Sequence, residues 1–349
     1  MLTLTQASVT ARKSIRYSLY FIVFLIVGRI FLDSTVALYK KLFPPEAPAP
    51  TVAFGKLPSL PFPERAKLSL NFVLETPEGG LPTMPDQAKV YFMPKLSANL
   101  LSLDFTKQKA RSLGYNEEPV QIDDSTFEFS HKTTPSKFKT DIITGAFSIS
   151  YDLIADPTPL AVTPPSPEIA SSTAKSFLES ADSFPADLIG PTNYEFLKHL
   201  ASGLIPATSL SDSNLIKTHM FRKSYDDLPS LTSSPNEANV WFIVSGLRDR
   251  GRSVIAGEFH YFPVDEEQLA TYPIKTSDQA WTELTNGNYF TASFGSAKPE
   301  TQTKIRRVYL AYYDPGVPTD FFQPIYVFEA TDKNFVGYVP AVTSDYYGE

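Results

Sequence analysis

Apolar residues run along this chain in three textures, and each predicts a different kind of element. The first is a solid block. Tyr17 to Gly28 is twelve residues without a charge, dense in Phe, Ile, Leu and Val. Twelve residues do not cross a membrane, but the block extends to Leu38, 22 residues from Tyr17. At about 1.5 Å per residue that is about 33 Å, enough to cross a hydrocarbon core of about 30 Å. Arg29 is the objection, since a centrally placed Arg costs about 2.5–3.5 kcal/mol on insertion. It lies past the centre, can snorkel toward the headgroups, and has Asp33 four residues on as a partner. Tyr17, Tyr20 and Tyr39 stand near the ends, where amphipathic rings favour the interface.

The expectation is therefore an uncleaved signal-anchor helix over residues 15–39, with residues 1–14 as a short cytoplasmic tail. Arg12, Lys13 and Arg16 before the span, against Lys40 and Lys41 after it, favour an inside N-terminus. The bulk of the chain then lies outside a cell membrane. A cleaved export signal is the competing reading, with Thr35-Val36-Ala37 as a poor cleavage site; a core helix is the other.

The second texture is apolar residues punctuated by proline. Residues 40–64 read as a Pro-rich stalk, because proline blocks helix and sheet and favours extended chain. Val52, Phe54, Leu57 and Leu60 predict that its second half packs on a domain surface. Residues 156–167, DPTPLAVTPPSP, read as an interdomain linker or a long surface crossing.

The third texture is alternation and helical spacing. Residues 65–155 read as a first α+β module, with strands at Lys67–Leu74, Lys89–Met93, Thr126–Ser130 and Ile142–Tyr151. Its helix spans Ser97–Leu113, with Leu100, Leu103, Lys107 and Ala110 on one face and Gly114 as its stop. Residues 168–345 read as a second α+β module. It opens with a helix, Glu168–Ala181, whose face carries Ile169, Thr173, Ser176 and Phe177. A helix near Tyr194–Leu200 and a strand near Leu215–Tyr225 follow. Asn239–Leu247 and Ser253–Val264 form a hairpin turning at Gly251. Ser277–Leu284 is a helix capped by Ser277 or Asp278 and ended by Asn286-Gly287. Lys304–Tyr313, Gln323–Glu329 and Phe335–Val339 are closing strands. The fold class is α+β: anchor, stalk, then two modules, or three, of antiparallel sheet packed with helices. A helix followed by a meander occurs at Phe105–Gly114 and again at Ser277–Gly287, which suggests a repeated unit.

Charge sharpens this picture. Residues 1–40 hold five Lys/Arg and one Asp, net +4, which leaves −11 on the rest of a chain of net charge −7. An acidic body argues against nucleic acid as a partner and against lying flat on an anionic membrane. With no cysteine, disulfides and thiolate chemistry are excluded. Thirty prolines beside 26 phenylalanines favour short strands over a long helical bundle.

Candidate chemistry is sparse. His131, His199, His219 and His260 are scattered, without a metal-binding spacing. Ser172-Thr173-Ala174-Lys175, then Ser234-Pro235-Asn236 and Lys275-Thr276-Ser277, follow the order of a penicillin-binding-type acyl-transfer site. The motifs are short, the third lacks its Gly, and a second Ser-x-x-Lys occurs at Ser136–Lys139. Asp123-Asp124, Asp226-Asp227 and Glu266-Glu267 read as solvated turn carboxylates. No catalytic, metal or cofactor site is expected. Arg248, Arg250 and Arg252 make a basic hairpin tip, the candidate contact for an acidic partner.

The anchor, the AWTEL…NG helix, and IRRVYLAYY followed by QPIYVFEA…FVGYVPAV resemble the YycH/YycI-type extracytoplasmic regulators of Gram-positive sensor kinases, mainly over the last 75 residues. The resemblance implies helix-on-sheet units and a regulatory role without catalysis. The expected function is thus a membrane-anchored binding or regulatory protein. Its expected partners are the lipid bilayer, through residues 15–39, and a membrane or envelope protein. A structural envelope component and a serine acyl-transferase are the alternatives.

Overall fold

The computed structural model describes residues 4–42, 48–66, 68–96 and 101–348, and the side chains of its first helix over 16–36. The chain forms two compact units, Met1–Ala49 and Pro50–Glu349.

The first unit is carried by one helix, α1 (Leu4–Leu42). Within it Arg16–Val36 has a mean hydropathy of 1.9, and no part of that window is buried by protein. It is the one helix among the described residues long and apolar enough to cross a membrane. Phe24 and Phe31 are 71% and 70% exposed. An unburied side chain of this kind forgoes about 1.5–3 kcal/mol of burial. Arg29 and Asp33 pair at 3.9 Å one turn apart, as their spacing requires.

The second unit begins with β1 (Asn71–Leu74), β2 (Gln87–Phe92) and α2 (Ser102–Ser112). A meander follows: β3 (Val120–Gln121), β4 (Thr126–Ser130), β5 (Ser136–Asp141) and β6 (Phe147–Tyr151). Next come α3 (Pro167–Ser180), β7 (Thr192–Leu200), β8 (Gly203–Pro206), β9 (Leu215–Met220) and β10 (Ser230–Leu231). The hairpin is β11 (Val240–Val244), the single turn α4 (Arg250–Ser253) and β12 (Val254–Phe259). The chain closes with β13 (Asp265–Pro273), α5 (Ser277–Thr285), β14 (Phe290–Ser293), β15 (Gln302–Ile305), β16 (Arg307–Tyr313), β17 (Phe321–Phe322), β18 (Pro324–Ala330) and β19 (Phe335–Pro340).

The fold is α+β, but its sheets do not divide where the sequence suggested. One sheet has the order β3-β4-β5-β6-β12-β11-β9-β7-β8, a second β10-β16-β18-β19-β14, a third β13-β2-β17, and β1 pairs β15. The boundary expected between residues 65–155 and 168–345 is therefore absent. Ile149 of β6 sits opposite Gly257 of β12 in one ladder. Strands β1 and β2 leave that sheet and pair with β15, β13 and β17, from the far end of the chain. Strands β1, β2 and β6 each expose an edge that only a distant strand completes.

The 156–167 stretch is likewise no linker but a strap on the folded body. Pro159 is buried, Asp156 accepts from Arg252, and a side chain at Gly246 would strike the carbonyl of Thr163. The stalk is shorter than 40–64. Leu57 is fully buried with Val90, Ala270 and Tyr272, and Leu60 joins the core beside Phe290. Val52 and Phe54 are partly buried against the Leu57 cluster, so all four residues that predicted packing do pack.

Helix α3 rests on the nine-stranded sheet through Ala170, Ala174 and Leu178, spaced i, i+4, i+8 and all fully buried. The buried stripe is one residue round from the expected one, and Ile169 is exposed. Small side chains let α3 approach β9 and β11 closely, which apolar size alone does not signal. Helix α5 packs Ala280 and Leu284 on the second sheet. Its cap is Thr276, in a capping box with Gln279, one residue before the expected cap. Gly287, at φ +83°, takes the left-handed exit. Tyr194–Leu200, read as helix, is part of β7, held by β9 and β8. The expected repeat fails in topology. Strands β3 to β6 pair in chain order, whereas β14, first after α5, pairs with the last strand, β19.

Tyrosines pin the assembly. Tyr272, Tyr312, Tyr326 and Tyr338 are fully buried, and their hydroxyls donate to the carbonyls of Gly55, Lys89, Lys275 and Thr232. Each bond satisfies a buried hydroxyl and fixes a distant segment.

The strongest pin is Arg222, just beyond β9. Its side chain is 1% exposed. It donates to Asp187 at 2.7 Å, to Asp314 at 3.0 Å, and to the carbonyl of Phe262. Tyr225 and Tyr261 donate to Asp187 at 2.7 and 2.6 Å. Burial alone would lower the Arg222 pKa, but Asp314 and Asp187 outweigh it and hold the guanidinium charged. Burial pushes the Asp187 carboxyl up, yet Arg222 and the two phenols bring its net pKa below the usual range. The cluster joins the ends of β9 and β12 to the end of β16.

Two predictions follow from these buried groups. Arg222→Leu leaves two buried carboxylates uncompensated and should lower the unfolding free energy by about 3–5 kcal/mol in chemical denaturation. His219 is fully buried, and Nδ1 accepts from the Ala238 amide at 3.1 Å. Burial, then nearby Lys217, lower its pKa from 6.5 to about 4. Between those values the unfolded chain binds the extra proton, so stability falls as pH drops from about 6.5 to about 4. The loss of denaturation free energy over this window should shrink in His219→Gln.

Candidate binding groove

The site starts with a turn. Tyr225 and Leu228 exchange backbone hydrogen bonds at 2.9 Å, so Asp226-Asp227 forms a two-residue loop. Both aspartates have positive φ, 49° and 61°. A two-residue hairpin of this hand demands left-handed residues, and Asp tolerates them better than most. The strain persists because the loop is anchored. Asp226 accepts from Lys89 and, at 2.9 Å, from the Tyr91 hydroxyl. Burial pushes the Tyr91 phenol up, and the carboxylate beside it pushes it further. Asp227 is exposed and makes no ion pair among the described residues.

Pro229 then steers the chain. Its carbonyl accepts from Tyr312 at 2.8 Å, and β10 continues in parallel alongside β16 at Tyr312 and Tyr313. The chain before Pro229 turns away into the Asp-Asp loop, so the rest of this β16 edge has no strand partner, although the residues on it, Val308 and Leu310, are buried. The other edge is paired with β18 from Arg307 to Tyr312. Tyr312 and Asp314 direct their amides to the β10 side, and Tyr313 to the β18 side. By alternation, the amides and carbonyls of Val308 and Leu310 face the edge without a strand partner.

Across from it, β2 has a similar gap. It pairs β13 from Gln87 to Phe92 but meets β17 only at Tyr91 and Phe92. The Tyr312 hydroxyl, donating to the Lys89 carbonyl at 3.0 Å, ties the two strands together at one end. Beyond this tie lies a groove of about 840 Å³. Gln87 and Lys89 line it from β2, Arg307 and Leu310 from β16, and Asp226 and Asp227 from the loop. Met84, Ala88 and Leu228 add apolar surface. Arg307 pairs with Glu329 at 2.9 Å, so Asp227 is the unmatched charge among these side chains.

The residues singled out from sequence are dispersed elsewhere. Arg252 is consumed by Asp156 and Asp249, at 2.9 and 2.7 Å, and locks the strap to the hairpin tip. Arg248 and Arg250 remain exposed on the tip, so the basic contact shrinks from three residues to two. Ser172 and Lys175 are exposed on α3; Lys175 lies 3.8 Å from Glu179, and Ser172 has no hydrogen bond among the described residues. Ser234 accepts from Arg65, Lys275 is buried against Glu283, and Ser277 donates to the Pro82 carbonyl. Ser136 is buried against Tyr115. Asp123 accepts from the amides of Ser125 and Thr126, and Glu266 pairs with Lys223. Of the acid pairs, Asp226-Asp227 lines the groove described above. Among the described residues no three His, Asp or Glu side chains gather as a metal site.

Tyr91, Leu310 and Tyr312 escaped the sequence reading because each sits in an ordinary apolar strand. The usable signal was Tyr-Asp-Asp-Leu-Pro at 225–229: two acids in a two-residue loop, closed by a proline. Because Asp227 is left-handed, Asp227→Gly should keep or raise stability, while Asp227→Val should lower it by about 1–2 kcal/mol on chemical denaturation.

No family model matches the chain, and no characterised protein matches its sequence. Among solved structures it is similar to an uncharacterized protein from Eubacterium rectale, at 13% identity and a TM-score of 0.39. That similarity covers 74% of this chain and 84% of the other.

Proposed function

We propose that this is a single-pass, membrane-anchored binding protein whose body receives an extended segment of a partner protein. The carrying observation is the groove between β2 and β16, where two strand edges lack a strand partner along part of their length. An extended segment added to the β16 edge would bond the main-chain groups of Val308 and Leu310 and continue the line of β10. Charged Lys89 and Arg307 flank the groove and keep the edge from self-pairing. The unmatched Asp227 favours a segment with Lys or Arg at that end, and Met84, Ala88 and Leu228 favour apolar residues along it.

The uncovered Arg16–Val36 helix supports the anchor, and the basic residues before it support an inside N-terminus with the body outside the cell membrane. The acidic body and the likeness to YycH/YycI-type regulators agree with recognition of a membrane or envelope protein. Protease added to intact cells should then degrade the body and spare α1. Photo-crosslinking residues placed at Ala88, Asp227 and Arg307 should capture one short segment of a single partner, with none captured from exposed Ile154. A protected body refutes the topology; adducts scattered over unrelated proteins, or equal from Ile154, refute the groove.

A further inference from the structure

A second cleft, lined by none of the residues of the first, lies beside α2, and it contains a lysine without a counter-charge. Lys109 extends from α2 over the rings of Phe147 and Phe259, its ammonium 4.9 and 5.6 Å from their centroids. Those rings stack at 4.8 Å where β6 meets β12, so the aliphatic stem lies on the nine-stranded sheet. Among the described residues the Lys109 ammonium makes no hydrogen bond and no ion pair; the main-chain carbonyl of this residue accepts from Ser112 and Leu113. Its neighbours on α2, Lys107 and Arg111, share Glu118 instead.

The ammonium opens on a cleft of about 640 Å³. Phe105, Ile142, Ile143 and Leu96 give it apolar walls, with Thr106 and the Ser180–Ser183 turn as polar margin. Lys109 is the cation of this lining, and Asp182, exposed on the far turn, is its carboxylate. Burial lowers the Lys109 pKa from 10.5 to about 8, with no charged neighbour contributing. A lysine that merely snorkels along the surface keeps its charge in bulk water and avoids that penalty. Holding a desolvated cation with no anion beside it costs stability, and an anion brought by a ligand would relieve it.

We propose that this cleft is a site for a small apolar carboxylate, its headgroup paired with Lys109 and its hydrocarbon part against Phe105, Ile142 and Ile143. One ammonium without a second cation matches a single negative charge, and the apolar walls select against a bare inorganic anion. The site is separate from the groove between β2 and β16 and does not depend on that reading.

The test uses the full chain in phosphatidylcholine nanodiscs, with hexanoate as the probe and hexanamide as its uncharged counterpart. Trace acetylation, read lysine by lysine by mass spectrometry, reports access to each amine. Hexanoate should slow acetylation of Lys109 about tenfold. It should leave Lys137, which pairs with Glu128 on the exposed side of β5, unaffected. Hexanamide should leave both unchanged. Equal protection by the two compounds, or by neither, overturns the proposal. Lys109→Met keeps the chain length and apolar stem; it should fold with equal or greater stability and lose the thermal shift that hexanoate produces in the wild type. If Lys109→Met is destabilised, the ammonium serves the fold and the proposal falls.

Discussion

A guanidinium sealed from water with two carboxylates dictates how the body of this protein is closed. Arg222 cannot be buried alone, because a desolvated cation without compensation is far more costly than any packing gained around it. Its partners come from three places: Asp187 after α3, Asp314 at the end of β16, and the carbonyl of Phe262 after β12. Those segments must converge before any of them is satisfied. The two large sheets are thereby joined through a charged cluster that is geometrically demanding, and not merely through apolar contact, which tolerates slippage.

The same logic appears in the tyrosines. A phenylalanine core would bury as much surface, but the hydroxyls of Tyr272, Tyr312, Tyr326 and Tyr338 each require one particular acceptor. Each acceptor is a main-chain carbonyl on a remote segment, so the bonds specify how segments are interleaved. This matters because the chain weaves: β1 and β2 belong with strands more than 170 residues later, while the meander between them and α3 belongs with β12. A fold of that contact order needs specific pins to exclude alternative pairings.

The groove follows from this weaving. Strand β10 is two residues long because Pro229 and the left-handed Asp226-Asp227 loop turn the preceding chain away from β16. Strand β17 is equally short, and β2 is left open beside it. Two short cover strands leave two partial edges on one concavity. Left-handed aspartates are a strained choice, held here by the bonds from Lys89 and Tyr91 to Asp226.

The sequence by itself determined what is local. A run of apolar residues specifies the Arg16–Val36 span of α1, since length and hydropathy suffice whatever surrounds it, but not that the helix begins as early as Leu4. Thr276 to Gly287 specifies α5, because caps and spacing act within a few residues, although the cap was read one position late. The apolar pattern specified β4, the β11–β12 hairpin, β18 and β19, but the single strand expected over Lys304–Tyr313 divides at Arg306 into β15, which pairs β1, and β16, which pairs β18. The pattern failed at β5, where Ser136 and Thr140 are buried as fully as Phe138 and break the apolar code. It failed at β7, where pairing with β9 decides the conformation. Only the tertiary structure decided which strands are neighbours, where the modules divide, which arginine of the hairpin tip is consumed, and that Asp226-Asp227 borders a groove. Alternation tells which face of a strand is buried, but its backbone hydrogen bonds are the same for every residue, so the identity of a distant partner is not written in the strand itself.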